Sequence, residues 1–304
     1  MMIKLIKNMI ESIDYGGIIK SLEEKLPSLP QILEDLVKKL SDPNSNLDSV
    51  EELVEVDQSI TTQVLQVANK VEFTEPGEER ITTIHDALHK LGFENAKKIA
   101  LNVSVLKLMK LTKSTVNFSG EDLWQHSLAV AVASSEISKL VGYDNPDQAY
   151  ACGLMHDIGK VIKLKYNKKD FFKDLASAKR KNIDLYDLEI MRNLIRHDIA
   201  GAKMMQAWNM PESLILPVLW HHVEDRSLRA EVDSPDHHLL IDIVYFSNFI
   251  VHKLGIGFSG HGITKNPSDK FLRSFGLSTE GIEDLAGQIQ QAFEDACPSL
   301  LLLD

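Results

Sequence analysis

Asn145-Pro146-Asp147-Gln148-Ala149-Tyr150-Ala151-Cys152-Gly153-Leu154-Met155-His156-Asp157-Ile158-Gly159-Lys160 is the stretch whose reading decides the rest of the chain. Asn145 supplies an N-cap, Pro146 suits the first helical position, and Gln148 completes a capping box, so a helix begins here. Ala149, Cys152, Gly153 and His156 follow at i, i+3, i+4 and i+7. They form one inward face of small residues that ends on an imidazole. Gly159 is expected to close the helix in the left-handed conformation. A His and a carboxylate that enter the fold from consecutive positions are mixed nitrogen and oxygen donors for a divalent metal. Taken alone, the pair reads as a buried His hydrogen-bonded to a neighbour.

Further imidazoles change that reading. His126 lies in a predicted helix with Ala129, Val130 and Ala133 along its face, His197 opens another apolar run, and Trp220-His221-His222 ends a third. Buried imidazoles need partners, and four helices that each carry His on an apolar face point to one shared site. That site holds metal, or it is a hydrogen-bonded polar core.

Composition bounds the function. With 44% hydrophobic and 25% charged residues in a 304-residue chain, the protein is of ordinary globular type. Its net charge of −11 argues against a general phosphate-neutralising surface for nucleic acid. The densest basic run, Lys163, Lys165, Lys168, Lys169, Lys179, Arg180 and Lys181, reads as a solvated face. Cys152 and Cys297 fit a reducing compartment, with Cys152 a small core residue. Met1 to Ile10 lacks the unbroken apolar run of a signal peptide, and no stretch of about 18 apolar residues could span a membrane. A cytoplasmic location is expected.

Along the chain the apolar stripes keep helical period, and no strand-like alternation persists, so the class is all-α. Residues 1–25 read as one or two amphipathic helices broken at Gly16-Gly17, with Ile3, Ile6, Ile10 and Ile13 on one stripe. This extension either packs on the body or forms a dimerising surface. Pro30 opens a helix with the core face Ile32, Leu33, Leu36, Val37 and Leu40. Asn46 and Asp57 cap the next two, Glu75-Pro76-Gly77 is a loop, and Thr83 with Asp86 caps a helix that Gly92 ends. Leu65 and Leu88 are expected in this lobe's core. Ser114 to Gly120 is the best boundary, followed by helices over 122–141 and 185–196. Pro217 falls inside a helix over 212–222, residues 223–238 read as an acidic loop, and helices over 239–254 and 278–296 finish the chain.

Three groups of residues in the first third carry a likeness. Leu26-Pro27-x-Leu29-Pro30, then Asp57-Gln58-x-x-Thr61-x-x-x-Leu65-x-x-Ala68-Asn69, then Ile81-x-x-Ile84-x-x-Ala87-Leu88-x-x-Leu91-Gly92, is similar to the N-terminal half of HDOD domains. The later order of H, HD, H and HH resembles the HD superfamily of helical metal-dependent phosphohydrolases. The resemblance implies a multi-helical HD-superfamily bundle with an additional N-terminal helical lobe. An extension over 1–22 would precede an HDOD domain over 23–223, with its helical lobe at about 23–115 and its HD-like half from about 119. Helices over 224–304 would complete that half.

The resemblance also implies a metal site. In metal-binding HD proteins the first ion takes a His, the His-Asp pair and a later Asp, which map onto His126, His156 and Asp157, with Asn248 in place of the later Asp. Asn offers a carbonyl oxygen without negative charge. Asp242, six residues earlier, lies roughly 120° away around the helix and is a poor substitute. Two-metal members add His ligands that match His197, His221 and His222, with Asp157 bridging. Asp122, one turn before His126, is placed to add a carboxylate. One or two divalent ions, Fe, Mn, Zn, Ni or Mg, would fill such a site, and two ions about 3.5 to 4 Å apart suit phosphodiester cleavage. The Gly-Tyr-Pro signature of the branch that hydrolyses cyclic di-GMP does not follow His221-His222. Basic residues that could clamp phosphates are sparse beside the ligands: Lys160 and Arg196 are the nearest in sequence, each either such a clamp or a solvated side chain.

The leading expectation is therefore a bacterial-type cytoplasmic signal-transduction module that docks a signalling protein partner, with a polar centre that is structural, metal-bound or nucleotide-sensing. The competing one is a metal-dependent phosphohydrolase acting on a nucleotide or cyclic dinucleotide, and the third a structural helical scaffold. No receiver, kinase or cyclase segment is recognised, so the input is expected from elsewhere. Homo-oligomer formation stays open.

Overall fold

The computed structural model describes residues 13–23, 35, 46–70, 80–110, 118–260 and 265–300. The stripe Ile3, Ile6 and Ile10, the Leu26-to-Pro30 motif with the Ile32-to-Leu40 helix face, the Glu75-Pro76-Gly77 loop and residues 114–117 of the expected boundary lie outside the described residues. The helical periods produce helices as expected. In order they are α1 (Tyr15–Glu23), α2 (Leu47–Val56), α3 (Gln58–Ala68), α4 (Ile84–Leu91), α5 (Phe93–Lys110), α6 (Gly120–Leu140), α7 (Pro146–Met155) and α8 (Ile158–Tyr166). There follow α9 (Lys168–Lys181), α10 (Leu185–Met191), α11 (His197–Ala207), α12 (Glu212–Trp220), α13 (Pro235–Leu254), α14 (Asp269–Ser274) and α15 (Thr279–Leu300). No strand forms among the described residues.

The caps work as the sequence predicts in the first lobe. Asn46 Oδ1 accepts the Ser49 N–H at 3.0 Å, and Ser49 Oγ returns the bond to the Asn46 N–H. Asp57 accepts the Ile60 N–H and also holds the Lys107 ammonium at 2.7 Å, which ties the α2–α3 corner to α5. Val54, Val64 and Leu88 are fully buried between these helices, whereas Leu65 is only partly buried, because its neighbour Val64 takes the inward position. The apolar core then runs without a break from this lobe through α6, α7 and α13 into α15.

The long α6 is the central element, packed against α7, α13 and α15. Its small residues let α7 come close. A Cβ at Gly153 would lie 2.6 Å from Val130 O and 2.8 Å from Ala131 Cα. Only a glycine tolerates that approach, and it brings the end of α7 to the middle of α6.

Several boundaries differ from the sequence reading. Gly16 and Gly17 do not break a helix. They lie in the first turn of α1, where Asp14 Oδ1 accepts the Gly17 N–H at 2.8 Å. Asn145 caps α7 through the Gln148 N–H, but the Gln148 side chain turns to Tyr143 and Ser213, so the capping box is half made. α10 stops at Met191, since Asn193 turns left-handed at φ 49°. Residues 223–238 are not all loop: Arg226–Leu228 forms a 3-10 turn, and α13 starts at Pro235, a first-position proline that its acidic surroundings disguised. Within the basic run, Lys163 is buried rather than solvated, paired with Glu189 and Asp174.

Candidate metal centre

The His-Asp pair sits at a break between two helices. α7 ends at Met155, His156 keeps helical angles, Asp157 steps out at φ −101° and ψ 13°, and α8 starts at Ile158. Gly159 therefore does not close a helix in the left-handed conformation as expected. It lies in the first turn of α8, where a Cβ would stand 1.7 Å from His197 O. The bare backbone admits the first turn of α11, and His197 arrives beside Asp157.

Asp157 is the hub. Its Oδ1 faces His197 Nε2 at 3.5 Å and His221 Nε2 at 3.6 Å, and its Oδ2 faces His156 Nε2 at 3.3 Å and His126 Nε2 at 4.0 Å. Two donor groups share this one carboxylate: His126, His156 and Asp157 on one side, Asp157, His197, His221 and His222 on the other. Asn248 Oδ1 lies 3.0 Å from His126 Nε2, beside the first group. Lys160 Nζ sits 2.6 Å from Asp157 Oδ2 and is fully buried, so of its two readings the solvated one does not hold. Arg196 is buried too, paired with Asp198.

Bonds on the far sides of the rings aim the free nitrogens inward. His156 Nδ1 pairs with Gly153 O at 2.7 Å and His221 Nδ1 with Val218 O at 2.8 Å. His197 Nδ1 lies 2.7 Å from Glu189 Oε2, and Glu189 is in turn held by the Lys163 ammonium. This carboxylate–imidazole arrangement is the usual outer support of a metal ligand. The Tyr186 ring stacks on His222 at 4.4 Å and 20°, and His197 Nε2 lies 2.9 Å from His222 Nε2. Yet His156 Nε2, His221 Nε2 and Asp157 Oδ1 are buried without a hydrogen-bond partner. Close approach without bonding geometry leaves these atoms the full cost of lost hydration, about 1 to 3 kcal/mol each, unless something else binds them.

Electrostatics suit a cation. Burial, reinforced by His252 and His156, holds His126 well below the ordinary imidazole value; burial likewise lowers His222, and brings His221 down to about 4. Burial alone would raise Asp157, but the Lys160 ammonium and His156 outweigh it and hold the carboxyl well below its usual range. Burial is likewise overcome at Glu189, which His197 and Lys163 bring down to about 2. The signs combine. An imidazole of lowered pKa takes its proton in the unfolded chain first, so stability falls as pH drops from the ordinary His value of 6.5 towards about 4. The depressed Glu189 adds a further loss between its ordinary 4.5 and about 2. In metal-free protein the urea midpoint should therefore decrease steadily from pH 7 to pH 4.5, and a flat profile over that range would contradict the buried neutral imidazoles.

Seven of the sequence candidates converge: His126, His156, Asp157, His197, His221, His222 and Asn248. Asp122 does not, because it is captured at the helix start, taking the Ser119 hydroxyl at 2.6 Å. Asp242 is held by Arg226 and Arg229, away from the centre. Sequence reasoning missed the roles of Lys160, Glu189, Lys163, Tyr186 and His252. His252 had a signal, since it stands one helical turn after Asn248, and its ring lies 4.6 Å from that of His126.

The HDOD domain profile matches residues 26–224. The chain belongs to the HDOD domain family. Solved structures share the fold of this HDOD chain. A Geobacter sulfurreducens HDOD domain protein of unknown function is 23% identical, with TM-score 0.72 over 99% of this chain and 98% of that one. A candidate signal-transduction protein from Marinobacter aquaeolei VT8 is 19% identical, with TM-score 0.76 over 98% of this chain and 66% of that one. A candidate phosphohydrolase from Shewanella amazonensis SB2B is 18% identical, with TM-score 0.63 over 93% and 96%. An uncharacterised Treponema pallidum protein is 23% identical over 204 residues, which make up 66% of this chain and 38% of that relative, so the HDOD chain spans well under half of its length. No helix among the described residues is long and apolar enough to cross a membrane.

Proposed function

We propose that this HDOD chain is a cytoplasmic signal-transduction module whose buried centre binds a divalent metal and whose helical surface docks a signalling protein. One observation carries the reading: the two oxygens of Asp157 serve separate sets of imidazoles, and three of the donor atoms are buried without a partner. The two groups are unequal. On the Oδ2 side Lys160 already neutralises the carboxylate and Asn248 brings no charge, whereas on the Oδ1 side His197 and His221 face an oxygen with no bonded partner and His222 completes the donor group. The tighter ion therefore belongs to Asp157, His197, His221 and His222, and three imidazoles favour Zn, Fe, Co or Ni over Mg. Such an ion would supply Lewis acidity at the buried carboxylate.

Size argues against a nucleotide hydrolase. The pocket that opens on the centre, between Asp184, Tyr186, His222, Tyr245, Asn248 and Lys265, holds about 80 Å³. Small-molecule sites begin at about 300 Å³, which favours an ion over a nucleotide as the occupant.

Protein purified without an affinity tag should carry stoichiometric transition metal by elemental analysis, and chelator should lower its Tm, because an ion bound only to the folded state stabilises it by mass action. Asn248→Asp should tighten binding on the Oδ2 side by adding a charge 3.0 Å from His126. Metal-free protein with a Tm indifferent to chelator would refute the centre. Metal-dependent turnover of cyclic dinucleotides or nucleoside phosphates, lost on Asp157→Ala, would favour the enzyme over the module.

A further inference from the structure

We propose that helix α1 is a latch on the His197 side of the metal centre, with Tyr15 as the positioning residue through which docking of the helix sets metal affinity. The proposal rests on the metal-centre reading. α1 does not join the main core. Tyr15, Ile18, Ile19 and Leu22 pack on α8 and α11, against Ile162, Ile199, Ala200 and Met204, in a separate apolar cluster. The helix can thus leave its groove without opening the rest of the fold, which is the behaviour of a local unfolding unit.

Among the described residues, its polar tie to the body reaches the centre. The Tyr15 hydroxyl, buried at the start of α1, accepts the Arg196 backbone N–H at 3.0 Å. Arg196 is the N-cap position of α11, has no side-chain cap of its own, and immediately precedes His197. The path continues through the Arg196 side chain. Its guanidinium grips Asp198, donates to the Tyr186 hydroxyl at 3.3 Å and lies 5.0 Å above the Tyr186 ring, and that ring stacks on His222. One tyrosine on α1 therefore supports the backbone from which His197 projects and the contacts that hold His222. These are two of the four donors in the group that lacks a competing ammonium at its carboxylate oxygen.

Undocking of α1 uncovers the Arg196 N–H and frees the first turn of α11. Metal affinity falls, and by reciprocity a bound metal holds α1 in its groove.

Cobalt(II) titration of the full chain tests this. Tyr15→Phe keeps the ring and removes the hydroxyl, and should weaken the tighter cobalt site about tenfold, the lower end of what loss of an outer support does. Leu22→Ala, which loosens the helix without touching the polar tie, should weaken it as well; should that variant fail to fold, Tyr15→Phe carries the test. Leu88→Ala, fully buried in the main core, should lower Tm while leaving cobalt affinity unchanged. Wild-type affinity in Tyr15→Phe overturns the latch, and so does an equal loss in Leu88→Ala, which would mean that destabilisation anywhere has the same effect. A wild-type chain that takes up no cobalt is a separate result: it removes the metal-centre reading, and the latch with it.

Discussion

Asp157→Ala is expected to abolish metal binding at both donor groups and to lower stability by about 3 to 5 kcal/mol, even in metal-free protein. The stability loss does not come from the imidazoles. Lys160 Nζ is fully buried and has its hydrogen bond to Asp157 Oδ2, so truncation leaves an ammonium in the interior without its counter-charge. A double-mutant cycle separates the effects. Asp157→Ala with Lys160→Met should recover much of the stability, since it removes both charges, yet recover none of the metal. Urea unfolding and elemental analysis on the four proteins decide it, and a single-variant loss below about 1 kcal/mol would show that the Lys160–Asp157 pair is not the buried ion pair described.

Gly159→Ala should be the most damaging added methyl group among the described glycines. An added Cβ would stand 1.7 Å from His197 O and 2.9 Å from Gly201 N, backbone atoms that can yield only if α8 and α11 separate. A loss of about 3 kcal/mol or more is expected, with His197 displaced from Asp157 and metal affinity reduced. The same substitution at Gly287, in α15 with nothing within 4 Å of the new methyl, should stabilise by up to about 1 kcal/mol, the difference in helix propensity. Thermal melts of the two variants side by side provide the measurement. Equal and small effects at both positions would mean that the α8–α11 contact is looser than described.

The two glycine positions also show what was legible beforehand. Gly159 stood out in the sequence, and its backbone mattered, but the reason lay in a partner almost forty residues away that no local pattern names. Helical period and caps revealed the helices from α6 onward and the imidazole face of α6, because burial of an amphipathic stripe is a local property of sequence. The convergence of six His and Asp donors followed from counting imidazoles that could not each be satisfied alone. Asp122 lies on the right face, one turn before His126, and still misses the site, because a carboxylate at the third helical position is drawn to its own N-cap serine. Lys160 and Lys163 were the hardest to place. Lys163 opens a basic run and Lys160 stands three residues before it, where a lysine looks solvated, and only Asp157 and Glu189, one on the preceding turn and one on a distant helix, make their burial tolerable.

Lys160 has a last consequence. Small domains built around a structural ion are often unfolded without it, because the clustered donors repel or dehydrate one another until the cation arrives. Here the chain brings its own positive charge to the shared carboxylate, so the folded state is electrically balanced before any ion enters. An ion bound here would then add stability to a fold that stands without it, which is the condition for its occupancy to carry information.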